Sequence, residues 1–429
     1  MRILVLSVNY WPEETGIGPL TAWRCEYLAS RGHDVTVCTT LPYYPQWRVS
    51  EPYKRTLWRR ESHNGVNILR SWSWIPKQVT AAKRIVFEAT FLMGNLLAAL
   101  SAGKPDLLLV ESPPLGLALT AGCLKRLWGI PFVYDVMDLQ PDAAADLGML
   151  HDGILMRSLY RLEKFAYHHA ALVSTLTEGM RRRIFEKSIA PEKVTLFAAR
   201  ADSALLQLER GTGGESFRRT YGLEGKFVVL YTGNMGVKQG LDVIVSAAQL
   251  SQDRPDLVYL FAGDGAVRKD TESRAAALRL ANVKFLPVQP REQLFQMLTA
   301  ADLCLITQQR TVADIVFPSK TATFMAAGCP VVASVNAGSA VASILEQSRA
   351  GLVVAPEDPA RLLEAIASLQ DDSRRRGEMC EAGRRFAREH WDEKVILPKM
   401  ETELLRVVRP DSDKDMESVT MLDLEEKIQ

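Results

Sequence analysis

The 429-residue sequence has little of what would announce a metal centre, a disulfide scaffold, a nucleic-acid groove or a membrane span. Its six cysteines, at 25, 38, 123, 304, 329 and 380, lie apart in apolar surroundings with no Cys-x-x-Cys pair. That spacing suggests no zinc site and reads as small core residues of a reducing compartment. The longest apolar run, residues 85–100, falls short of the roughly 20 residues a span needs and carries Glu88, so no transmembrane helix is expected. The opening "MRILVLSVNYWPEE" has one basic residue and a very short apolar run, which suits a first strand better than a secretory signal. A cytoplasmic protein is expected. The acidic "DSDKD" at 411–415 has neither the glycine nor the twelfth-position glutamate of a calcium loop and reads as solvated charge.

The net charge is only +1, but residues 1–200 hold 24 Lys and Arg against 18 Asp and Glu, and the remainder 28 against 33. The mild basic excess of the first half is too weak for nucleic acid and suits anionic lipid head groups or a phosphorylated substrate. With 47% apolar and 24% charged residues, a chain this long exceeds one hydrophobic core and divides comfortably into two domains of about 200 residues.

Strand-like and helix-like segments alternate throughout. "RILVLSV", "DVTVCTT", "PDLLLVES", "PFVYDV" and "ALVSTLT" are separated by helical patterns. After a looser stretch ending "ERGTGGES" the rhythm restarts with "KFVVLYTG", "LVYLFAG", "VKFLPV", "DLCLIT", "PVVAS" and "AGLVVA". This predicts an α/β protein of two doubly wound, Rossmann-like domains with parallel sheets facing across a cleft. The expected bounds are 1–205 for the first domain, 206–385 for the second, 386–408 for a C-terminal helix and 409–429 for a flexible tail.

Ligands of such sheets bind beyond the carboxyl ends of strands. "NYWPEETGIGPL" sets Gly16 and Gly18 before a helix and includes Glu14. "YTGNMGVKQGLD" sets Gly233, Asn234, Gly236 and Gly240 around Lys238. Bare amides and a helix N-terminus in such loops suit a diphosphate. In "FPSKTATFMAAGCP", Lys320 sits at the start of an apolar helix, where a cation opposes the helix dipole unless an anion shares the site. "FAGDG" adds Gly263 and Gly265 for close approach of a nucleotide, and "FLPVQP" with Val288 supplies a loop that could face the base. In "VYDVMDLQPD", Asp135 and Asp138 end a strand, which is expected to aim them into the cleft; His168 and His169 read as helix packing.

Taken in order, "NYWPEETGIG", "DVMDLQPD", "YTGNMGVKQGLD", "FAGDG", "FPSKTATFMAAGCPVVAS" and "AGLVVAPEDPARLLEAI" resemble a GT-B glycosyltransferase of glycosyltransferase family 4 over residues 1 to about 405. "DLQPD" and the "PSK…AAGCP" stretch look closest to bacterial colanic-acid-type fucosyltransferases and related enzymes of capsule and O-antigen assembly. The resemblance implies a GDP- or UDP-sugar donor bound by the C-terminal domain and a saccharide acceptor, often polyprenyl-diphosphate-linked, bound by the N-terminal domain. It also implies retention of configuration without a metal or other cofactor, and a last helix that crosses back to the first domain. Lys238 and Lys320 would then neutralise the leaving diphosphate, and Asp138 would orient the acceptor or support the cationic sugar centre. Val316 and Phe317 amides would hold sugar hydroxyls beside Pro318, Ser319 and Thr323, with Asp135 and Glu14 on the acceptor side. Many members carry two glutamates eight apart, the second on the nucleotide ribose; Ile315 and Thr323 stand at those positions here.

Two other readings stay open on the sequence: a non-catalytic nucleotide-sugar-binding partner of a glycan assembly complex, suggested by the absent glutamates, and a nucleotide-sugar 2-epimerase. The stretch "QVTAAKRIVFEATFLMGNLLAAL" and the triplet Arg181–Arg183 are read either as a core-facing helix and a solvated charge run or as a rest on the inner face of an anionic membrane.

Overall fold

The apolar runs become the strands of two separate sheets in the computed structural model, which describes residues 1–142, 153–198, 200–208, 213–311 and 319–409. The chain divides into two units. The first comprises Met1–Leu176, Met180–Phe197 and the chain from Leu397 on; the second comprises Thr177–Gly179 and Ala198–Ile396.

The first unit holds β1 (Arg2–Leu6), β2 (Asp34–Thr40), β3 (Trp58–His63), β4 (Val66–Ser71), β5 (Leu107–Ser112), β6 (Phe132–Val136), β7 (Leu172–Thr175) and β8 (Val194–Leu196), in the order β3-β4-β2-β1-β5-β6-β7-β8. Central strands such as β5 and β6 bury every side chain, as a sheet covered on both faces requires. Its helices are α1 (Gly18–Ser30), α2 (Ala81–Ala102), α3 (Leu117–Trp128), α4 (Ile154–His169) and α5 (Glu178–Glu186). The sheet is not wholly parallel as expected, because β3 runs antiparallel to β4. Asn64 and Gly65 join them at φ of 47° and 81°, the double positive φ that lets a two-residue turn follow the strand twist.

The second unit holds β9 (Phe227–Thr232), β10 (Leu257–Ala262), β11 (Val283–Leu286), β12 (Leu303–Thr307), β13 (Val331–Ser334) and β14 (Gly351–Val354), all parallel, in the order β11-β10-β9-β12-β13-β14. Its helices run from α6 (Ser203–Gln207) and α7 (Gly214–Tyr221) through α8 (Asp242–Leu250), α9 (Arg268–Ala277), α10 (Arg291–Ala300), α11 (Ser319–Ala326), α12 (Ala340–Ser348) and α13 (Pro359–Asp371) to α14 (Ser373–Trp391). Strand order reverses at β1 in one sheet and at β9 in the other, so the loops after β1, β5, β9 and β12 frame the two crevices where such sheets take ligands.

The run at 85–100 belongs to a 22-residue helix, α2, long and apolar enough by length and composition to cross a membrane. The expectation that it is too short is therefore corrected. It lies on the sheet instead: Phe87, Phe91, Ala98 and Ala99 join the core, and buried Asn95 donates from Nδ2 to the Cys38 carbonyl at 2.8 Å. Five of the six cysteines are buried as expected, whereas Cys123 is exposed.

The first unit takes in the chain as far as Phe197 and again from Leu397 on, and the second takes in Ala198–Ile396. Trp391 keeps α14 with the second unit, its carbonyl accepting from Ala201 N at 2.9 Å. The last helix, α15 (Glu393–Val408), sends Leu397, Met400 and Leu404 into the first unit's core, and its Glu401 accepts from Tyr27, Arg31 and His33. Met400→Ala and Leu404→Ala should each cost about 2–5 kcal/mol of stability in urea unfolding, while exposed Lys399→Ala stays within about 0.5 kcal/mol.

Candidate functional site

At the carboxyl end of β9 the chain passes from Tyr231 and Thr232 into Gly233, at φ +112°, and on to a short 3-10 turn, Val237–Gln239. The neighbouring loop after β10 lies directly against it. Gly233 N donates to Ala262 O, Met235 N to Asp264 O and Val267 N to Met235 O, at 2.8–3.0 Å. A Cβ on Gly263 would stand 2.0 Å from the Gly233 carbonyl oxygen, and one on Gly265 would stand 2.5 Å from that of Met235. These close approaches require glycine at 263 and 265.

The amides expected to cradle a diphosphate are thereby largely occupied. Gly233 N is donated to Ala262 O, Gly236 N to Gln239 Oε1, Gly263 N to Leu286 O and Gly265 N to Asp264 Oδ1. Backbone packing takes the Gly233 and Gly263 amides, while nearby side chains take those of Gly236 and Gly265. Arg268, which the sequence did not mark, tightens the same corner by donating to the Gly263 and Leu286 carbonyls.

Lys320, in the first turn of α11, reaches back to this corner. Its Nζ donates to Tyr231 Oη at 2.8 Å and stands 4.0 Å from the centre of that ring. A Cβ on Gly233 would come within 2.8 Å of its Cε. Tyr231 is buried, its hydroxyl donates to the Asn234 carbonyl at 2.6 Å, and burial pushes its pKa well up, so it stays a neutral phenol. Loss of water around the Lys320 amine lowers its pKa to about 8. Among the described residues no carboxylate pairs with Lys320.

Lys238 is exposed on the 3-10 turn, which hangs on the end of β12: Thr307 Oγ1 donates to Gln239 O at 2.6 Å and Gln309 N to Lys238 O at 2.9 Å. Thr323, half-buried, donates its hydroxyl back to Ser319 O at 3.1 Å. Ser319 and Asn234 are exposed, and Val288, 67% exposed, follows the edge strand β11. Val316, Phe317 and Pro318, with Ile315, lie outside the described residues.

In the first unit the expected carboxylates separate. Asp135 does not face a cleft: it is fully buried in β6, ion-paired to Arg24 Nη1 at 2.5 Å and accepting from Ser174 Oγ at 2.8 Å. Strand alternation turns its side chain under α1, where Arg24 also donates to the Phe197 carbonyl. Glu111, beside it in register, is raised to about 7 by burial and then by the Asp135 charge, and accepts from Thr21. Asp138, two residues past β6, is half-buried. Glu14 is exposed, while its neighbour Glu13 is buried and accepts from Asn9, Tyr43 N and Tyr44 N, fixing the loop after β1. Gly16, at φ +75°, lies against Tyr44 in that loop, and Gly18 opens α1. His168 and His169 are exposed at the end of α4, each Nδ1 against a last-turn carbonyl, and so are not core packing.

Sequence reasoning did not find Tyr231, Glu13 or Arg24. Tyr231 reads as an ordinary strand residue until Lys320, 89 positions later, is laid on it. Gly263→Ala should lower the melting temperature by at least several degrees, since backbone must shift. Gly338→Ala, with nothing within 4 Å, should leave it within about 2 °C.

The model of a glycosyl transferase 4-like domain matches residues 15–199, and that of glycosyl transferases group 1 matches residues 215–386. The chain is 32% identical over 352 residues to the "Putative colanic acid biosynthesis glycosyl transferase WcaI" of Escherichia coli (strain K12), covering 81% of this chain and 86% of that one. It is 27% identical to the "Probable glycosyltransferase WbjE" of Pseudomonas aeruginosa, over 66% of this chain and 71% of that one. Among solved structures, HepE of Anabaena in complex with UDP superposes with a TM-score of 0.71 at 17% identity, covering 94% of this chain and 99% of that one.

Proposed function

Because this chain belongs to the GT-B glycosyltransferases of family 4, we propose that it moves a sugar from a nucleotide-sugar donor to a saccharide acceptor with retention of configuration, in bacterial surface or extracellular polysaccharide synthesis. The relative named for colanic acid biosynthesis supports the polysaccharide setting, and HepE, solved with UDP, supports a nucleotide diphosphate as part of the donor. The donor is read as a GDP- or UDP-sugar, and the acceptor as carried on a polyprenyl diphosphate.

The observation that carries this reading is Lys320: a desolvated cation, without a carboxylate partner among the described residues, seated on Tyr231 at the switch point of the second sheet. A partly desolvated cation without a counter-ion is costly, and a diphosphate would supply the missing charge. In the proposed step the bond from the anomeric carbon to the diphosphate oxygen breaks and the acceptor oxygen bonds on the same face. The acceptor proton passes to the departing phosphate. Lys320 and Lys238 stabilise the charge that builds there, which is the work a metal would otherwise do, and Asp138 orients the acceptor.

Removing either lysine should lower turnover 10- to 1000-fold, about 1.4–4 kcal/mol of transition-state stabilisation. Unchanged turnover in both Lys320→Ala and Lys238→Ala would refute the assignment. A thermal-shift series with GDP, UDP, ADP and dTDP and their sugar conjugates should give one nucleotide that raises the melting temperature, with or without EDTA. Donor binding with neither transfer nor slow donor hydrolysis would instead favour a binding partner.

The pH dependence has a definite sign. Lys320 in the folded chain has a pKa of about 8, below its ordinary 10.5. The charged amine therefore costs stability at neutral pH, and that cost fades as pH rises from about 8 toward 10.5. Diphosphate affinity, which uses the charged form, should be full below pH 8 and fall above it, and Lys320→Met should flatten the profile in calorimetric titration.

A further inference from the structure

The exposed apolar side chains of the first unit are not scattered. Ile85, Val86, Met93, Leu97 and Leu100 form a stripe along α2, opposite the Phe87, Phe91 and Asn95 face that grips the sheet. Met93 is 69% exposed and Leu97 57%. Four-residue steps from 85 through 89, 93 and 97 keep the stripe on one side of the helix, over about 20 Å of its length.

Exposed aromatic residues stand in the chain that leads into α2. Trp74 N donates to Thr90 Oγ1 of α2 at 3.1 Å, and Trp72 N donates to the Leu57 carbonyl at 2.9 Å. Leu57, Trp58, Trp72, Trp74 and Val79 are all exposed. An exposed apolar stripe of this length marks an interaction site.

Charge indicates its partner. Residues 54–104 contain nine Lys and Arg against two Asp and Glu. Glu61 is paired with Arg59 and Arg70, and Glu88 with Arg84. Arg55, Arg60, Lys77 and Lys83 are exposed and have no carboxylate partner among the described residues. Exposed tryptophans, an apolar stripe parallel to the sheet and unneutralised cations beside it match the interface of an anionic bilayer, where indole rings sit at head-group depth and cations meet lipid phosphate. The buried Asn95 bond and the core packing of α2 hold the helix on the domain, so it lies in the interface and does not span it.

We propose that this face of the first unit, built from the exposed side of α2 with Trp74 and the cations Lys77 and Lys83 at its start, is the surface by which the protein rests on an anionic lipid bilayer. The triplet Arg181–Arg183, on α5, is not needed for it.

The test is flotation of the full chain with vesicles of phosphatidylcholine alone or mixed with phosphatidylglycerol. Neither contains an acceptor, so the result does not depend on the transferase reading. The chain should float with the anionic vesicles and much less with the neutral ones. Met93→Asp/Leu97→Asp, both at exposed positions, should weaken binding at least about tenfold with an unchanged melting temperature. Lys77→Gln and Lys83→Gln should each weaken anionic binding about fivefold. No flotation, or flotation unchanged in both sets of variants, would overturn the proposal. So would self-association in sedimentation that Met93→Asp/Leu97→Asp abolishes while vesicles fail to bind, because the face would then belong to a second copy.

Discussion

Two carbonyl oxygens packed against two glycine Cα atoms set the geometry of the second unit's crevice. The Gly233 oxygen lies where a Gly263 side chain would be, and the Met235 oxygen where one on Gly265 would be. With the backbones at this separation, the loop after β9 is hydrogen-bonded along its course to the loop after β10. Asn234 then presents its carbonyl to Tyr231, and Tyr231 presents its hydroxyl and ring to Lys320. A bulkier residue at 263 would displace the segment that seats the lysine.

The two units treat buried charge in opposite ways. In the first, Arg24 and Asp135 neutralise each other, and the remaining acid, Glu111, takes hydrogen bonds and has its pKa raised. Breaking such a pair leaves an uncompensated charge, whereas keeping it whole fixes one arrangement of β6, α1 and the end of the first unit at Phe197. In the second, Lys320 meets the neutral Tyr231 and no carboxylate among the described residues, and its pKa falls with loss of water. The first arrangement carries its own counter-ion; around Lys320 no carboxylate is found among the described residues.

Much of the fold is legible in periodicity alone. Fully apolar runs bounded by helical patterns give the parallel strands, because a strand covered on both faces has no polar side to show. The hairpin β3–β4 escaped that reading: "WRRESH" alternates at a sheet edge and carries four charged or imidazole side chains, although Asn64–Gly65 signalled the turn. The first unit's main segment closes at Phe197, whose carbonyl accepts from Arg24.

The sequence by itself determined the two doubly wound units, the strand ends where ligands are to be sought, and the anomalous lysine at the start of α11. Local rules suffice for these, since strand burial, turn chemistry and the helix dipole act over a few neighbouring residues. Tertiary structure alone decided that Asp135 is a buried partner of Arg24, that the glycine amides are occupied, that Tyr231 seats Lys320, and that one side of α2 is left uncovered. Each depends on residues tens to hundreds of positions apart meeting at hydrogen-bond distance, and no local pattern encodes which distant backbone or side chain will arrive there.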